Sequence, residues 1–272
     1  MSDTITQAFI TQFERDVHLV YQRQGSKFRG TVRTKTVVGN TVRFQKLAKG
    51  VATTKGRHAD IVPMDLEHSN VEATMADYYA GDYVDVLDEL KTNIDERMIV
   101  AQSGAYALGR TTDDIIIAAA ETTSNTIANG GTGLTKTKVL EVFETFNAND
   151  VPDDGQRWMA ISPKAWTDLL SEDSFASADF IGLDELPYKG GMTAKRWLGF
   201  NIFTHSGLTV AANIRNCIAY HMSSLGHGIN SEVQTRIDYV PQKASNLINS
   251  SLSMGSVLID GAGCLVVEVD ES

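Results

Sequence analysis

The chain has 272 residues and a formal charge of −10, and with 42% of them hydrophobic and 21% charged, disorder is excluded as the main state; a globular chain of this size hides roughly 75% of its unfolded surface and needs no metal or disulfide staple. The longest strongly apolar run, residues 115–120, is far short of the roughly 20 residues a membrane-spanning helix requires, so no membrane partner is expected. The polar start Met1-Ser2-Asp3-Thr4 lacks the pattern of a secretory signal, and Cys217 and Cys264 form no CxxC pair, which fits a reducing compartment.

Residues 4–24 read as an amphipathic helix, with Phe9, Phe13, Val17 and Tyr21 stepping by four along one face and Gly25 ending it. Residues 28–51 switch to Thr, Val and basic residues, and Val32-Thr34-Thr36 followed by Gly39-Asn40 predicts a hairpin. This ribbon holds few large apolar residues, so it should project or drape over something else. Its charge is one-sided. Residues 17–59 contain no Asp or Glu, while Arg23, Lys27, Arg29, Arg33, Lys35, Arg43, Lys46, Lys49, Lys55 and Arg57 supply ten positive charges. A net −10 chain with a +10 segment leaves −20 for the remainder. Opposite charge should come from elsewhere on the fold, from nucleic acid, or from the acidic part of a second copy that begins with Asp60, Asp65, Glu67 and Glu72 and continues through Asp77, Asp82, Asp85, Asp88 and Glu89; the alternative is a basic loop that is simply solvated.

From about Val84, apolar residues at steps of three and four (Val86, Leu90, Ile94, Met98, Ala101, Ala105, Leu108) predict a rod helix of some 26 residues, roughly 39 Å long, ending near Gly109. A second helix is expected from a Thr111 cap, with Asp113 and Asp114 in its first turn, to Asn129-Gly130-Gly131. Residues 135–147 give a third helix, Asp153-Asp154-Gly155 turns into a strand at 158–161, and Ser162-Pro163 starts a helix carrying Trp166, Leu169 and Leu170. An acidic surface loop is expected at 171–191, strands at 199–204, 216–222 and 233–239, and a hairpin of 252–260 with 264–269 around Asp260-Gly261-Ala262-Gly263.

Enzymatic signatures are weak. Residues 130–136 resemble a phosphate loop, but the Lys does not follow a Gly and no strand precedes it, so a helix-to-helix turn is expected. His221 and His227 lie outside any HExxH helix, and neither Cys has ligand spacing, which predicts no metal. Ser223 or Ser224 with His221 and Asp238 make a triad on paper without a GxSxG elbow. The paired acids Asp153-Asp154 and Asp184-Glu185 keep loops soluble. The expectation is a protein without catalysis or cofactor.

The order of helical arm, charged ribbon, rod helix, mixed α/β lobe and return strands resembles the tailed-bacteriophage major capsid proteins, whose shell fold was first described for a Hong Kong phage. Residues 158–164 (WMAISPK), 198–206 (LGFNIFTHS) and 216–222 (NCIAYHM) are similar to segments of that family's axial domain. The resemblance spans essentially the whole chain. It implies an α+β fold with an N-terminal arm at 1–26, an extended β loop at 27–75, a peripheral domain at 76–128 and 228–272 containing a long spine helix, and an α/β axial domain at 129–227. The family's function implies homo-hexamers and homo-pentamers closing an icosahedral shell around double-stranded DNA without sequence-specific binding. It places the protein in the virion, assembled in the host cytoplasm, with scaffolding, portal or decoration proteins as further partners. In the extended loop, Arg29, Arg33, Lys35, Arg43, Lys46, Lys49, Lys55 and Arg57 would meet Asp77, Asp82, Asp85, Asp88 and Glu89 of a neighbour. An arm that starts at residue 4 leaves no room for a long scaffolding segment, so a separate scaffold or none is expected. No motif fixes a Lys–Asn cross-link. Alternatives are an encapsulin-like compartment, a nucleic-acid-binding module using 23–57, and a hydrolase built on His221 and Ser223; the module is disfavoured by having only Phe28 and Phe44 as stacking residues.

Overall fold

A computed structural model describes residues 23–85, 87, 96–172, 175 and 195–272. Among these the elements run β1 (Arg33–Thr36), β2 (Thr41–Leu47), β3 (His68–Thr74), β4 (Ala76–Asp85), α1 (Glu96–Ala120), β5 (Thr126–Ile127), α2 (Lys136–Ala148), β6 (Arg157–Ile161), α3 (Pro163–Leu170), β7 (Lys195–Trp197), β8 (Phe200–Thr204), β9 (Val210–Ala211), β10 (Ile214–His221), β11 (Leu225–Ile229), β12 (Gln234–Val240), β13 (Ser245–Leu258) and β14 (Cys264–Asp270). The fold is α+β. The arm helix expected at 4–24, most of the 171–191 loop, and Asp88 and Glu89 fall outside the described residues.

The chain falls into two compact units. The larger takes in Ser26–Asp77, Thr111–Ser231 and Ser253–Ser272. Its centre is a seven-stranded sheet of order β5-β14-β10-β6-β8-β7, with β9 on β10. The strand β10 is covered on both faces from Cys217 to His221 and runs antiparallel to β14 and β6, while β6 and β8 are parallel. Helices α2 and α3 bury Val139, Val142, Phe146, Ala165, Trp166 and Leu169 in the same core. Ser162 caps α3 as its sequence predicts, its Oγ accepting from the Ala165 N–H at 3.0 Å, with Pro163 at the first turn. Arg157 is buried between the Phe146 and Phe200 rings and donates to the Val151 and Pro152 carbonyls beyond α2, where the negative end of the helix dipole favours a cation.

Among the described residues the smaller unit takes in 23–25, Tyr78–Arg110 and Glu232–Leu252. The strands β12 and β13 form its hairpin, closed by a short 3₁₀ turn at Pro241–Lys243. The first half of β13 pairs with β12 and the second half with β11.

Four sequence expectations are corrected. The turn at Gly39-Asn40 makes no hairpin: β1 runs parallel to β11, and β2 pairs with β3 across residues 48–67. Turn residues reverse the chain, whereas burial of Val42 and Phe44 chooses the partner strand. The helix expected to stop at Gly109 continues as α1 to Ala120, and Val84 belongs to β4. Burial of Thr112, Asp113, Ile116, Ile117 and Ala120 overrides the local cap signals at Thr111. Gly109 is needed for contact rather than termination, because a Cβ there would lie 2.7 Å from the Gly25 backbone. The chain then passes through β5 before the Gly130-Gly131 turn, so that turn joins a strand to a helix. The Asp260–Gly263 turn is no hairpin either, since β13 pairs in one sheet and β14 in another.

Candidate functional site

The ribbon begins at a buried polar node. Asp113 on α1 accepts from Ser26 Oγ at 2.5 Å, from the N–H groups of Lys27 and Phe28, and from His205 Nε2 at 2.9 Å. His205 Nδ1 accepts from the Gly207 N–H at 3.2 Å, which leaves Nε2 as the donor. Burial pushes the Asp113 carboxyl up, but the bonds from His205, Ser26, Phe28 and Lys27 outweigh it and hold the group below the usual carboxylate range. Phe28, fully buried, packs edge-on to Phe203 and His205 and stacks on Tyr220, whose hydroxyl bonds Thr31 Oγ1. The segment leading into the ribbon is thereby locked to the central sheet.

The paired part, β2 with β3, has two unlike faces because side chains alternate along a strand. One face turns Val42, Phe44 and Ala73 inward with Val37, Met75 and Ile259. It seats against β11 at Gly226 and Gly228, where a Cβ would stand 2.6 Å from the Phe44 ring and 2.7 Å from Val42 Cγ1. The opposite face carries Arg43 against Glu72. Beyond the ladder, residues 48–67 are exposed apart from the half-buried Leu66. Four apolar side chains stand out on this tip: Val51 at 74% exposure, Ile61 at 75%, Val62 at 60% and Met64 at 49%.

The basic residues have separate fates. Arg43 pairs with Glu72 at 2.5 Å, Lys46 with Asp260 at 2.9 Å and Lys49 with Asp150 at 2.5 Å, all within the same chain. The Lys49 bond raises the ammonium pKa and lowers that of Asp150. Arg29 is half-buried, its N–H donating to Ser26 Oγ. Arg33 lies 5.9 Å from the Phe44 ring centre. Lys35, Lys55 and Arg57 are exposed. Of the acidic set, Asp77, Asp82 and Asp85 lie on β4, where Asp82 alternates with the other two and so shares no face with them. Asp82 and Asp85 accept from the N–H groups of Tyr83 and Leu87.

The residues singled out for enzymatic signatures make structural contacts. Lys138 donates to the carbonyls of Asn129, Thr132 and Glu268, tying the glycine-rich turn to β14, and burial lowers its pKa. His221 meets Ser223 Oγ at 2.7 Å and Asp154 Oδ1 at 3.1 Å, so the acid beside it is Asp154 rather than Asp238. Its Nδ1 also accepts the Ser223 N–H, capping a 3₁₀ turn. His227 Nδ1 bonds Ser256 Oγ. Among the described residues no cluster of His, Cys, Asp and Glu could hold a metal ion.

Two features escaped the sequence reading. The apolar tip was hidden because exposure of Val51, Ile61, Val62 and Met64 depends on the long connection between β2 and β3. The Asp113 node was hidden because an Asp in the first turn after a Thr111 cap fits a helix start equally well.

The family model described as phage capsid protein matches residues 5–271. Among solved structures, the capsid of cyanophage P-SCSP1u is 16% identical with a TM-score of 0.74, covering 98% of this chain and 94% of that one. A structure from Mycobacterium phage Che8 is 17% identical with a TM-score of 0.76, covering 96% and 97%. The capsid of a native GTA particle is 12% identical with a TM-score of 0.74, covering 98% and 97%. No curated protein sequence matches the chain. The seven-stranded core, the ribbon and the long helix thus lie in a chain that belongs to the phage capsid protein family.

Proposed function

We propose that this chain is a major capsid protein whose copies form hexamers and pentamers of an icosahedral shell enclosing double-stranded DNA. The observation that carries the reading is the full-length family match together with a fold shared, end to end, with subunits of assembled capsids. In this reading 1–26 is the arm, 27–75 the extended loop, 76–128 with 228–272 the peripheral domain built on α1 as spine, and 129–227 the axial domain. The protein acts structurally, without catalysis, as part of the virion. Assembly takes place in the host cytoplasm, where scaffolding, portal or decoration proteins join it. DNA is enclosed without sequence readout, consistent with a chain of net charge −10.

Ion pairing of Arg43, Lys46 and Lys49 within the chain leaves less free positive charge for a nucleic-acid-binding module. Electron microscopy and light scattering of the protein expressed alone test the proposal. Uniform closed shells are expected, and nuclease-protected DNA inside native particles distinguishes a genome container from an encapsulin-like shell holding cargo protein. A subunit that stays monomeric at every concentration and salt, yet binds a short duplex tightly, would overturn it.

A further inference from the structure

The chain contains a single Asn-Gly step, Asn129-Gly130, in the turn between β5 and α2. A glycine after asparagine leaves its backbone nitrogen unshielded by a Cβ, so that nitrogen can approach the side-chain carbonyl carbon of the residue before it. Asn129 is half-buried, whereas Gly130 and Gly131 are exposed and both lie at positive φ, +57° and +67°. The Asn129 Oδ1 accepts from the Gly131 N–H at 3.2 Å, which folds the side chain back over the intervening Gly130 amide.

The surrounding bonds prime both reacting groups. On the side chain, the Gly131 N–H draws electron density toward Oδ1 and leaves Cγ the better electrophile. On the backbone, the Asn129 carbonyl accepts from Lys138 Nζ at 2.7 Å, from the Thr132 N–H at 3.1 Å and from Thr132 Oγ1 at 3.2 Å. That carbonyl belongs to the same conjugated peptide group as the Gly130 N–H, so a cation and two further donors on its oxygen make the N–H more acidic. Among the described residues the Gly130 N–H makes no hydrogen bond of its own, which leaves it open to base from solvent.

We propose that Asn129 is a modification site, converting without an enzyme to aspartate and isoaspartate through a cyclic imide closed by the Gly130 nitrogen, with Lys138 as a positioning residue. The Gly130 N–H gives its proton to solvent base and the nitrogen bonds to Cγ. The bond from Cγ to Nδ2 breaks, and Nδ2 leaves with a proton as ammonia. Water then opens the imide. Cleavage of the new bond to Cγ gives aspartate, and cleavage of the original bond to the Asn129 carbonyl carbon gives isoaspartate. Either product places a carboxylate beside Glu268, whose Oε2 already accepts from the Asn129 N–H at 3.3 Å, so like charges meet at the end of β14. Isoaspartate also routes the main chain through Cβ and displaces the carbonyls that Lys138 ties to β14. Water is the one co-reactant, so the inference stands apart from the assembly reading.

Peptide mass spectrometry of the purified protein, aged in mildly alkaline buffer, tests this. Cleavage after Arg110 and Lys136 leaves Asn129 and Asn125 in one peptide, and Asn125, followed by Thr126, is the internal control. Asn129 should convert at least about ten-fold faster than Asn125, equal to about 1.4 kcal/mol of barrier, and its product should be methylated by an isoaspartate methyltransferase. A Cβ at Gly130 meets nothing within 4 Å, so Gly130→Ala adds the shield without a clash and should slow conversion at least about ten-fold; Asn129→Gln should yield no isoaspartate. The folded chain should react at least as fast as the same chain in urea, which lacks the bonds to Lys138, Thr132 and Gly131. Lys138→Met, with unchanged circular dichroism, should slow the reaction about ten-fold. If Lys138 merely restrained the turn, its removal would speed the reaction instead, and that result overturns its role. An Asn129 that ages no faster than Asn125, or reacts more slowly folded than in urea, overturns the site.

Discussion

Asp113 gathers four donors on one buried carboxylate, so its removal should be costly. Asp113→Ala leaves Ser26, the Lys27 and Phe28 amides and His205 without their acceptor, and urea unfolding should show a loss of about 3–5 kcal/mol. The folded carboxyl titrates below its unfolded value of about 3.9, so its contribution is present above that value and is lost as pH falls through the folded one. Asp113→Asn should therefore flatten the stability curve below about pH 4, and an unchanged acid limb would refute the assignment. A second titration lies higher. Burial pushes the His227 imidazole down to about 4, with Arg29 adding to the drop and Asp113 opposing it. Because the unfolded chain then takes up the proton first, stability should fall as pH drops from about 6.5 toward 4, by up to about 3 kcal/mol. Unfolding at several pH values should show that slope in the parent and lose it in His227→Phe. Neither residue could be given its role from the sequence, because both depend on strands and loops distant in the chain: Asp113 on residues 26–28 and 205, His227 on Ser256.

Elements whose signals are local were legible. The apolar face of α2, the Ser162-Pro163 start of α3, and the strands β6, β8 and β10 follow from periodicity and capping alone. Pairing was not legible, because Gly39-Asn40 and Asp260–Gly263 state where the chain turns and say nothing of which strand it then meets. The ribbon illustrates what decides it. Phe44 finds room on β11 only because Gly226 has no side chain, an arrangement no local pattern announces. Gly226→Ala places a methyl 2.6 Å from the Phe44 ring, and overpacking of this kind typically costs about 1–3 kcal/mol. If that contact seats the ribbon, Gly226→Ala and Phe44→Ala will be non-additive: the glycine substitution should cost much less once Phe44 is truncated, as a double-mutant cycle in urea will measure. Additive effects would mean that the glycine matters for its own backbone instead.

At the scale of the assembled molecule, charge and apolar contact make opposite predictions about salt. Reading the sequence alone, ten basic residues facing an acidic neighbour imply shells that loosen as salt rises. The structure alters that arithmetic, since Arg43, Lys46 and Lys49 find acids in their own chain and their reversal would disturb the ribbon's own pairing before it reached a neighbour. Reversal at the tip is the cleaner probe. Lys55→Glu with Arg57→Glu reverses two exposed charges, and exposed pairs of this kind contribute only about 0.2–1 kcal/mol. If apolar burial between copies outweighs charge, this double variant should slow assembly and weaken its salt dependence while still reaching the parent's yield of closed shells. In the parent, raised sulfate should then preserve or promote shells, because excluded salts strengthen apolar burial while screening charge. Light scattering across a sulfate series, with microscopy at its ends, separates the two cases. Shells that dissolve in sulfate and never form from Lys55→Glu/Arg57→Glu would return the contact to electrostatics.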